Sequence, residues 1–360
     1  MKFLGTLGLA AILLGWFGGA VAAADTPASD FEVGVNETRD GAVIKKYIGK
    51  NAKKSLEKGE KGVNVVIPAE IEGFPVKEIG KYAFQYCCGI TSVTIPNGVT
   101  KIGHAAFSDC YRHWGSDGGY GLTSVTIPNS VTQIESWAFH GCENLTSVTI
   151  PDSVTEIGAD AFANCRNLTS VTIPSSVTVI EKRAFQYCRN LTSVTIQNGV
   201  TEIGDDAFEY CENLTSVTIP DSVTVIGERA FEYCENLTSV TIPKRIIKMG
   251  IYAFKNCKGL TSVTIPDGVT QIGGGAFWGC EGLTSVTIPN SVTKIRAGAF
   301  AECINLTTIN FTGDKRINFG DGEEDRPTVD ASVFKDCEKF SLAMQVALRK
   351  HGYRGGFYFQ

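Results

Sequence analysis

One string governs this chain. LTSVTIP begins at Leu122, Leu145, Leu168, Leu214, Leu237, Leu260 and Leu283, and a copy with Gln197 in place of proline begins at Leu191. Each start lies 23 residues after the one before. Divergent copies stand at Ile90 (ITSVTIP) and Leu306 (LTTINFT), and a looser one ends in VVIP at Pro68. The longer unit reads L-T-S-V-T-I-P-x-S/G-V-T-x-I-G-x-x-A-F-x-x-C-x-N/G. A period of this length means that one supersecondary unit is built repeatedly, and that neighbouring copies complete each other's core.

The unit Leu145–Asn167 shows how. Val148 and Ile150 alternate with Ser147 and Thr149. That is period two, hence a strand with one buried face. Pro151 cannot donate to a ladder and ends the strand, and Asp152-Ser153 supplies turn chemistry. Val154 and Ile157 turn inward again through a second short strand. Ala161, Phe162 and Cys165 sit at helical spacing, which predicts the buried side of one short helical turn. Asn167, replaced by Gly in some copies, closes the coil. A single unit cannot bury its Leu, Val, Ile, Phe and Cys, but stacked copies can. About eleven coils at the ~4.8 Å spacing of paired strands give a stack roughly 50 Å long.

An open end of such a stack would aggregate, so the ends must differ from the middle. Residues 31–49 read as a β-hairpin around Asp40-Gly41, followed by a Lys-rich linker or helical turn at 50–61. This gives an N-terminal cap over 25–61, the repeats over 62–337, and a C-terminal cap over 338–360. In the last, Ser341 begins an amphipathic helix through His351, with Leu342, Val346 and Leu348 available for burial. Phe357, Tyr358 and Phe359 would cover the last coil. The segment 313–330 is polar and acidic and reads as a surface loop. Before the caps comes a leader. Lys2 is followed by an uncharged run from Phe3 to Val21, and Ala22-Ala23-Ala24 offers a small-residue cleavage site. The run approaches the ~20 residues that span a bilayer, so an uncleaved anchor is the alternative. No other segment is long and apolar enough to cross a membrane.

The repeat, IPxxVTxIGxxAFxxC, resembles the BspA-like class of leucine-rich repeats found in bacterial surface proteins. The resemblance covers about residues 62–337, and the opening VVIPAEIEGFPVKEIGKYAF (65–84) looks like the first coil usual in that class. It implies an α/β solenoid: a right-handed superhelix with a parallel sheet, a short second strand and a short helical turn per coil. It also implies adhesion, through binding of host matrix or plasma proteins or of other cells. The class brings no catalytic residues and no fixed binding motif, so no site transfers position by position. The extra domains and anchors of many relatives are not legible in this chain.

The residues themselves narrow the chemistry. The full chain has 33 basic and 38 acidic residues, a net charge of −5, and loss of Lys2 with the leader would make it −6. That balance disfavours nucleic acid, because phosphate binding needs a basic face. Eleven of the twelve cysteines come once per coil, from Cys87 and Cys110 to Cys303 and Cys337, with Cys88 extra. A secreted chain with an even count suggests disulfides. Their constant place, three residues after a buried Phe, fits a ladder of reduced thiols acting as small hydrophobes. Bridges between neighbouring coils and a metal site are the alternatives, and no C-x-x-C pair supports zinc. His104, His113 and His140 could approach one another near the insertion, but no metalloprotease, hydrolase, P-loop or dinucleotide motif accompanies them. No cofactor, metal or catalytic residue is expected. The Asn-x-Thr sequons at Asn144, Asn167, Asn190, Asn213, Asn236 and Asn305 are explained by the repeat's own turn. Outward Ser and Thr, such as Ser170 and Thr172, suit an exposed parallel sheet; an ordered array that binds ice or carbohydrate is the sharper alternative.

Variable positions carry more information. The face around x-x-A-F-x-x-C places Asp205, Asp206, Glu209, Glu212, Glu228, Glu232 and Glu235 on two consecutive coils, beside Tyr187, Tyr210 and Tyr233 at one equivalent position. An aromatic strip rimmed by charge resembles interface chemistry; a tyrosine ladder that stabilises the stack is the alternative. The stretch 111–121 breaks the period, and Tyr111, Arg112, His113, Trp114 and Tyr120 on its Gly-rich loop are candidate contacts; an insertion without function is the alternative. The chain is thus expected to be a monomeric, secreted or cell-surface protein that binds a protein partner. An envelope or periplasmic scaffold with no host ligand is the second reading.

Overall fold

The computed structural model describes residues 25–49, 62–111, 121–320, 331–337 and 339–355. The leader, the linker 50–61, most of the insertion and the aromatic tail Phe357–Phe359 lie outside the described residues. The rest is a parallel β-solenoid of about eleven turns, and its three sides follow from three stretches of the repeat.

The first side is the SVTI strand. Ser170–Ile173, Ser193–Ile196, Ser216–Thr218 and Ser239–Thr241 pair in parallel, with Val171 opposite Val194, then Val217, then Val240. Like residue meets like residue at every step, so the buried face of each strand continues that of the last. The threonine before the strand is exposed yet repeated for a reason. Its hydroxyl donates to the equivalent carbonyl one coil back, as from Thr192 to Thr169 at 3.0 Å and from Thr215 to Thr192 at 3.1 Å. The second side is a two-residue strand such as Glu202–Ile203, paired in parallel with Val179–Ile180 and Val225–Ile226. Both sheets stop and restart at the same coils, after Val148 and Thr241 in the first and after Ile157 and Met249 in the second.

The third side corrects an expectation. The Ala-Phe segment is a chain of tight turns, not helix. Backbone amides there alternate: Phe162 and Asn164 donate forward to Ala184 and Gln186 of the next coil, both at 2.8 Å. Ala163 and Cys165, between and after them, close local turns to Asp160 and Phe162 at 3.1 and 3.2 Å. The cause is the left-handed backbone at Asp160 (φ 57°) and Asn164 (φ 60°), through which a right-handed helix cannot propagate. A third ladder results, its amides pointing forward, whereas those of Thr169 and Thr192 point back. Among the described residues the one α-helix is α1, Leu342–Lys350.

The core is a column of rings. Phe84, Phe107, Phe139 and their equivalents through Phe334 stack with centroids 4.8–5.7 Å apart, and those from Phe84 to Phe300 are fully buried. From Cys110 onward each cysteine thiol donates to the phenylalanine carbonyl one coil back, as from Cys188 to Phe162 and Cys211 to Phe185, both at 3.3 Å. Burial pushes the Cys188 and Cys280 thiols up to about 12.

At the N-terminus, β1 (Phe31–Val35) and β2 (Ala42–Tyr47) form an antiparallel hairpin, and β2 extends the second sheet by pairing with Phe74–Ile79. Tyr47 stacks on Phe84 at 5.3 Å and so terminates the column. At the C-terminus Phe340 and Tyr353 meet Phe334 edge-on. Helix α1 departs from expectation there. Ser341 caps it, accepting from the Met344 amide at 3.2 Å, but Leu342 and Val346 are 77% and 61% exposed. Burial falls to Gln345 and Leu348, one turn apart on the other side. Nor is 313–330 wholly a loop, since Asn318–Phe319 pairs with Lys294–Ile295 and buries Phe319. At the insertion, strand pairing jumps from Ser92 to Ser124 and then resumes its ordinary step from Ser124 to Ser147. The base of the loop is closed by a bridge between Tyr111 and Gly121.

Candidate protein-binding face

The third side presents side chains laterally, at positions that turn outward from the Phe column. Two of these positions, just before Ala-Phe and two after Phe, hold the backbone in the left-handed region. Elsewhere in the stack six of the eight occupants of the second position (Asp109, Gly141, Asn164, Asn256, Gly279 and Asp336) are residue types that tolerate that region, and Tyr86 and Glu302 are the exceptions. In three consecutive coils it is tyrosine: Tyr187 (φ 60°), Tyr210 (φ 58°) and Tyr233 (φ 60°). A bulky residue there costs on the order of 1–3 kcal/mol, so backbone preference did not put the tyrosines at these sites.

The three rings stack face to face, with centroids 4.6 and 4.5 Å apart and planes within 7°. Arg189 stands 5.9 Å over one end of the stack and Lys255 5.7 Å over the other. Ring faces are therefore occupied, and ring edges and hydroxyls are what the column offers. Burial, reinforced by Tyr233 and Tyr187, pushes Tyr210 up to about 12, which keeps its hydroxyl a donor. The strip continues where the sequence did not indicate it. Tyr252, at the other left-handed position, lies under Lys255 at 4.8 Å and Arg229 at 5.8 Å, and Trp278 meets it edge-on at 6.4 Å. Comparing the residue before Ala-Phe down the copies (Tyr82, Trp137, Tyr252) would have revealed this second row.

The acidic residues need correction. Glu209 and Glu232 are buried and do not face a partner. Gln186 donates to Glu209, whose carboxyl burial pushes up. Glu232 accepts Lys255 at 2.8 Å and lies 3.3 Å from the Arg229 guanidinium. Burial works most strongly against the Lys255 charge, but the hydrogen bond and charge of Glu232, with Tyr233 and Tyr252, together outweigh it and hold the ammonium above its usual range. Asp206 lies between Lys182 and Arg183, each 3.9 Å away, and Asp205 accepts the Glu228 amide at 2.8 Å. Glu212 and Glu235 face Arg189 and Lys258 at 3.4 and 3.0 Å. The acids are thus internal counter-ions that hold the tyrosines' neighbours in place.

The structure brings Tyr187, Tyr210 and Tyr233 together with Asp205, Asp206, Glu209 and Glu232. Tyr111 lies in the coil that begins at Ile90, separated from Tyr187 by the coils beginning at Leu122 and Leu145. Arg112, His113, Trp114 and Tyr120 lie outside the described residues. Among the described residues no group of three or more His, Cys, Asp or Glu could hold a metal ion. His140 stands 3.7 Å from Asp109, but burial lowers its pKa and its ring packs on Trp137 at 4.2 Å. No described helix is long and apolar enough to cross a membrane.

Comparison with known proteins agrees with this architecture. The profile of the BspA type leucine rich repeat region matches in six copies, over residues 68–113, 118–238 and 225–321. A leucine-rich repeat protein from Bacteroides ovatus has the same fold, with a TM-score of 0.50 and 22% identity over 94% of this chain and 100% of its own. A leucine rich cell surface protein from Faecalibacterium prausnitzii is 29% identical over 81% of this chain and 96% of its own, with a TM-score of 0.35. No curated protein matches the sequence. Neither the profile nor these structures indicate a catalytic family. With the profile spanning more than half of the sequence, this chain belongs to the BspA-type leucine-rich repeat family.

Proposed function

We propose that the chain is an extracellular adhesion protein whose lateral tyrosine strip binds a protein partner. One observation carries this reading. Three successive coils accept left-handed strain to display tyrosine where asparagine or glycine would cost nothing. Strain of this kind gathers at functional surfaces, and tyrosine is among the residues that dominate binding energy at interfaces. The cell-surface context of the family and the sequence leader point to the same setting. Ring edges and hydroxyls held by stacking lose little rotamer freedom on binding, which favours affinity.

The test compares the chain with a variant carrying Tyr187→Asn, Tyr210→Asn and Tyr233→Asn, on a panel of immobilised extracellular matrix and plasma proteins. The variant should fold, because asparagine suits the backbone, and lose on the order of tenfold or more in affinity. Equal binding by both chains would remove the strip from the site. Binding to no member of the panel, with the protein retained in the periplasm on fractionation, would replace adhesion by the scaffold reading.

A further inference from the structure

The coil Leu237–Gly259 departs from the repeat in a directed way. It holds Lys244, Arg245, Lys248, Lys255 and Lys258 and no acidic residue, directly after two coils (191–236) with nine acidic residues and one cation, Arg229. Lys255 and Lys258 are spent on Glu232 and Glu235. Lys244, Arg245 and Lys248, on the strand side of the coil, are exposed and form no ion pair among the described residues. Between them Ile247 is 70% exposed.

These residues displace others that hold the stack together. Elsewhere the second residue after proline is often a serine that donates to a carbonyl of the preceding coil: Ser153 to Val131 at 2.7 Å, Ser291 to Val269 at 2.8 Å. The fourth is a threonine doing the same: Thr201 to Thr178 at 3.0 Å, Thr224 to Thr201 at 3.3 Å. Arg245 and Ile247 occupy those two places. Two hydrogen bonds are forgone for a charge and an exposed aliphatic side chain, with nothing gained inside.

The coil also borders an opening. Both sheets break between it and the next coil, while the third ladder stays closed, with Phe254 donating to Ala276 at 2.8 Å. On the first sheet the join is reduced to one long contact, from the Thr261 amide to the Thr238 carbonyl at 3.5 Å. A groove of about 610 Å³ lies there, lined by Val240, Thr241, Thr264 and Thr287 and by two charged side chains, Lys244 and Asp267. Val240 is only partly buried, whereas Val217 and Val263 beside it in the same row are buried.

We infer that this groove and its cationic edge form a second docking surface, for an acidic peptide segment with an aliphatic residue between its carboxylates. Unpaired cations attract and orient such a segment. The groove supplies hydroxyls for its polar groups. Ile247 gives its aliphatic residue an apolar contact, which an anionic polysaccharide would not use. The surface is separate from the tyrosine strip and does not rest on it.

The experiment titrates the full chain with a fluorescein-labelled Glu-Glu-Leu-Glu-Glu peptide, its Lys-Lys-Leu-Lys-Lys counterpart and heparin. The key variant carries Arg245→Ser and Ile247→Thr, which restores the two donors of the repeat. The acidic peptide should bind, more weakly at high salt, and the basic one should not. The variant should melt no lower than the parent yet bind at least about tenfold more weakly. A Lys248→Gln chain, which alters no donor, should also bind more weakly. No binding of the acidic peptide, equal binding by the restored variant, or binding of heparin alone would each overturn the inference.

Discussion

The phenylalanine column and the tyrosine column lie two residues apart in each coil (Phe208 and Tyr210, Phe231 and Tyr233) and stack with the same near-parallel geometry. They differ in backbone and burial. The phenylalanines are fully buried and adopt ordinary backbone, whereas the tyrosines are half-buried and sit in the left-handed region. The inner column recurs in every repeat because each ring is the floor for the next. The outer one stacks through only three consecutive coils; Tyr86 stands apart in an earlier coil, and asparagine, glycine or an acidic residue holds the position elsewhere. Stacking alone therefore does not reveal a role; the price accepted by the backbone does.

The comparison breaks first, and most heavily, at the thiols beneath the inner column. Nine of them, from Cys110 to Cys303, are at most 1% exposed, and those of Cys188 and Cys280 are pushed by burial up to about 12 from 9.0. Above pH 9 the unfolded chain loses these protons while the folded chain keeps them. The folded state then binds more protons, so stability is fully present below pH ~9 and is lost as pH rises toward ~12. Each of these two thiols contributes about 1.4 kcal/mol per pH unit in that window, and burial shifts the other seven in the same direction. Urea melts followed by circular dichroism between pH ~8 and ~11 should show a steep alkaline loss, softened by Cys188→Ala with Cys280→Ala. A flat profile would mean that the inner side of the coil is wet.

A smaller break is Phe208→Ala, which should cost roughly 3–5 kcal/mol, the usual range for emptying a buried aromatic site. Coils interact mainly with nearest neighbours, so the transition should broaden or split. A cost below about 1 kcal/mol would place this column at the surface beside the tyrosines and erase the distinction.

Much of the inner column was legible in the sequence, because period two and a constant Ala-Phe-x-x-Cys leave few ways to bury the unit. What the spacing of Ala161, Phe162 and Cys165 could not convey is that the segment turns instead of coiling. Helical spacing and a run of tight turns place the same residues inward, and the deciding feature is the left-handed backbone at Asp160 and Asn164. The candidate face was legible in part. Tyr187, Tyr210 and Tyr233 could be aligned by eye, but ion pairing and burial of Glu209 and Glu232 depend on contacts between coils that no single repeat encodes. Leu342 and Val346 were misread for a related reason. Helical periodicity gives two candidate faces, and only the position of the final coil selects between them.

The last prediction extends the comparison to a third group of aromatics, in the insertion. Tyr111, Trp114 and Tyr120 belong either with the tyrosines, as contact residues, or with the phenylalanines, as core. The flanks favour the first. Tyr111 and Gly121 bridge the base of the loop, the Leu122 amide donates to the Cys110 carbonyl at 3.0 Å, and Ser124 pairs with Ser92 as though the intervening residues were absent. The described strands on either side therefore pair directly across the insertion. Deleting His113 to Gly121 restores the 23-residue register. The resulting chain should melt within about 0.5 kcal/mol of the parent, as expected for a surface change. If the loop belongs with the outer aromatics, affinity for a matrix or plasma protein held by the parent should fall at least tenfold, about 1.4 kcal/mol. Unchanged affinity in the folded deletion chain would leave the tyrosine strip as the sole candidate. A large loss of stability would instead assign Trp114 and its neighbours to the core, despite the closed base of the loop.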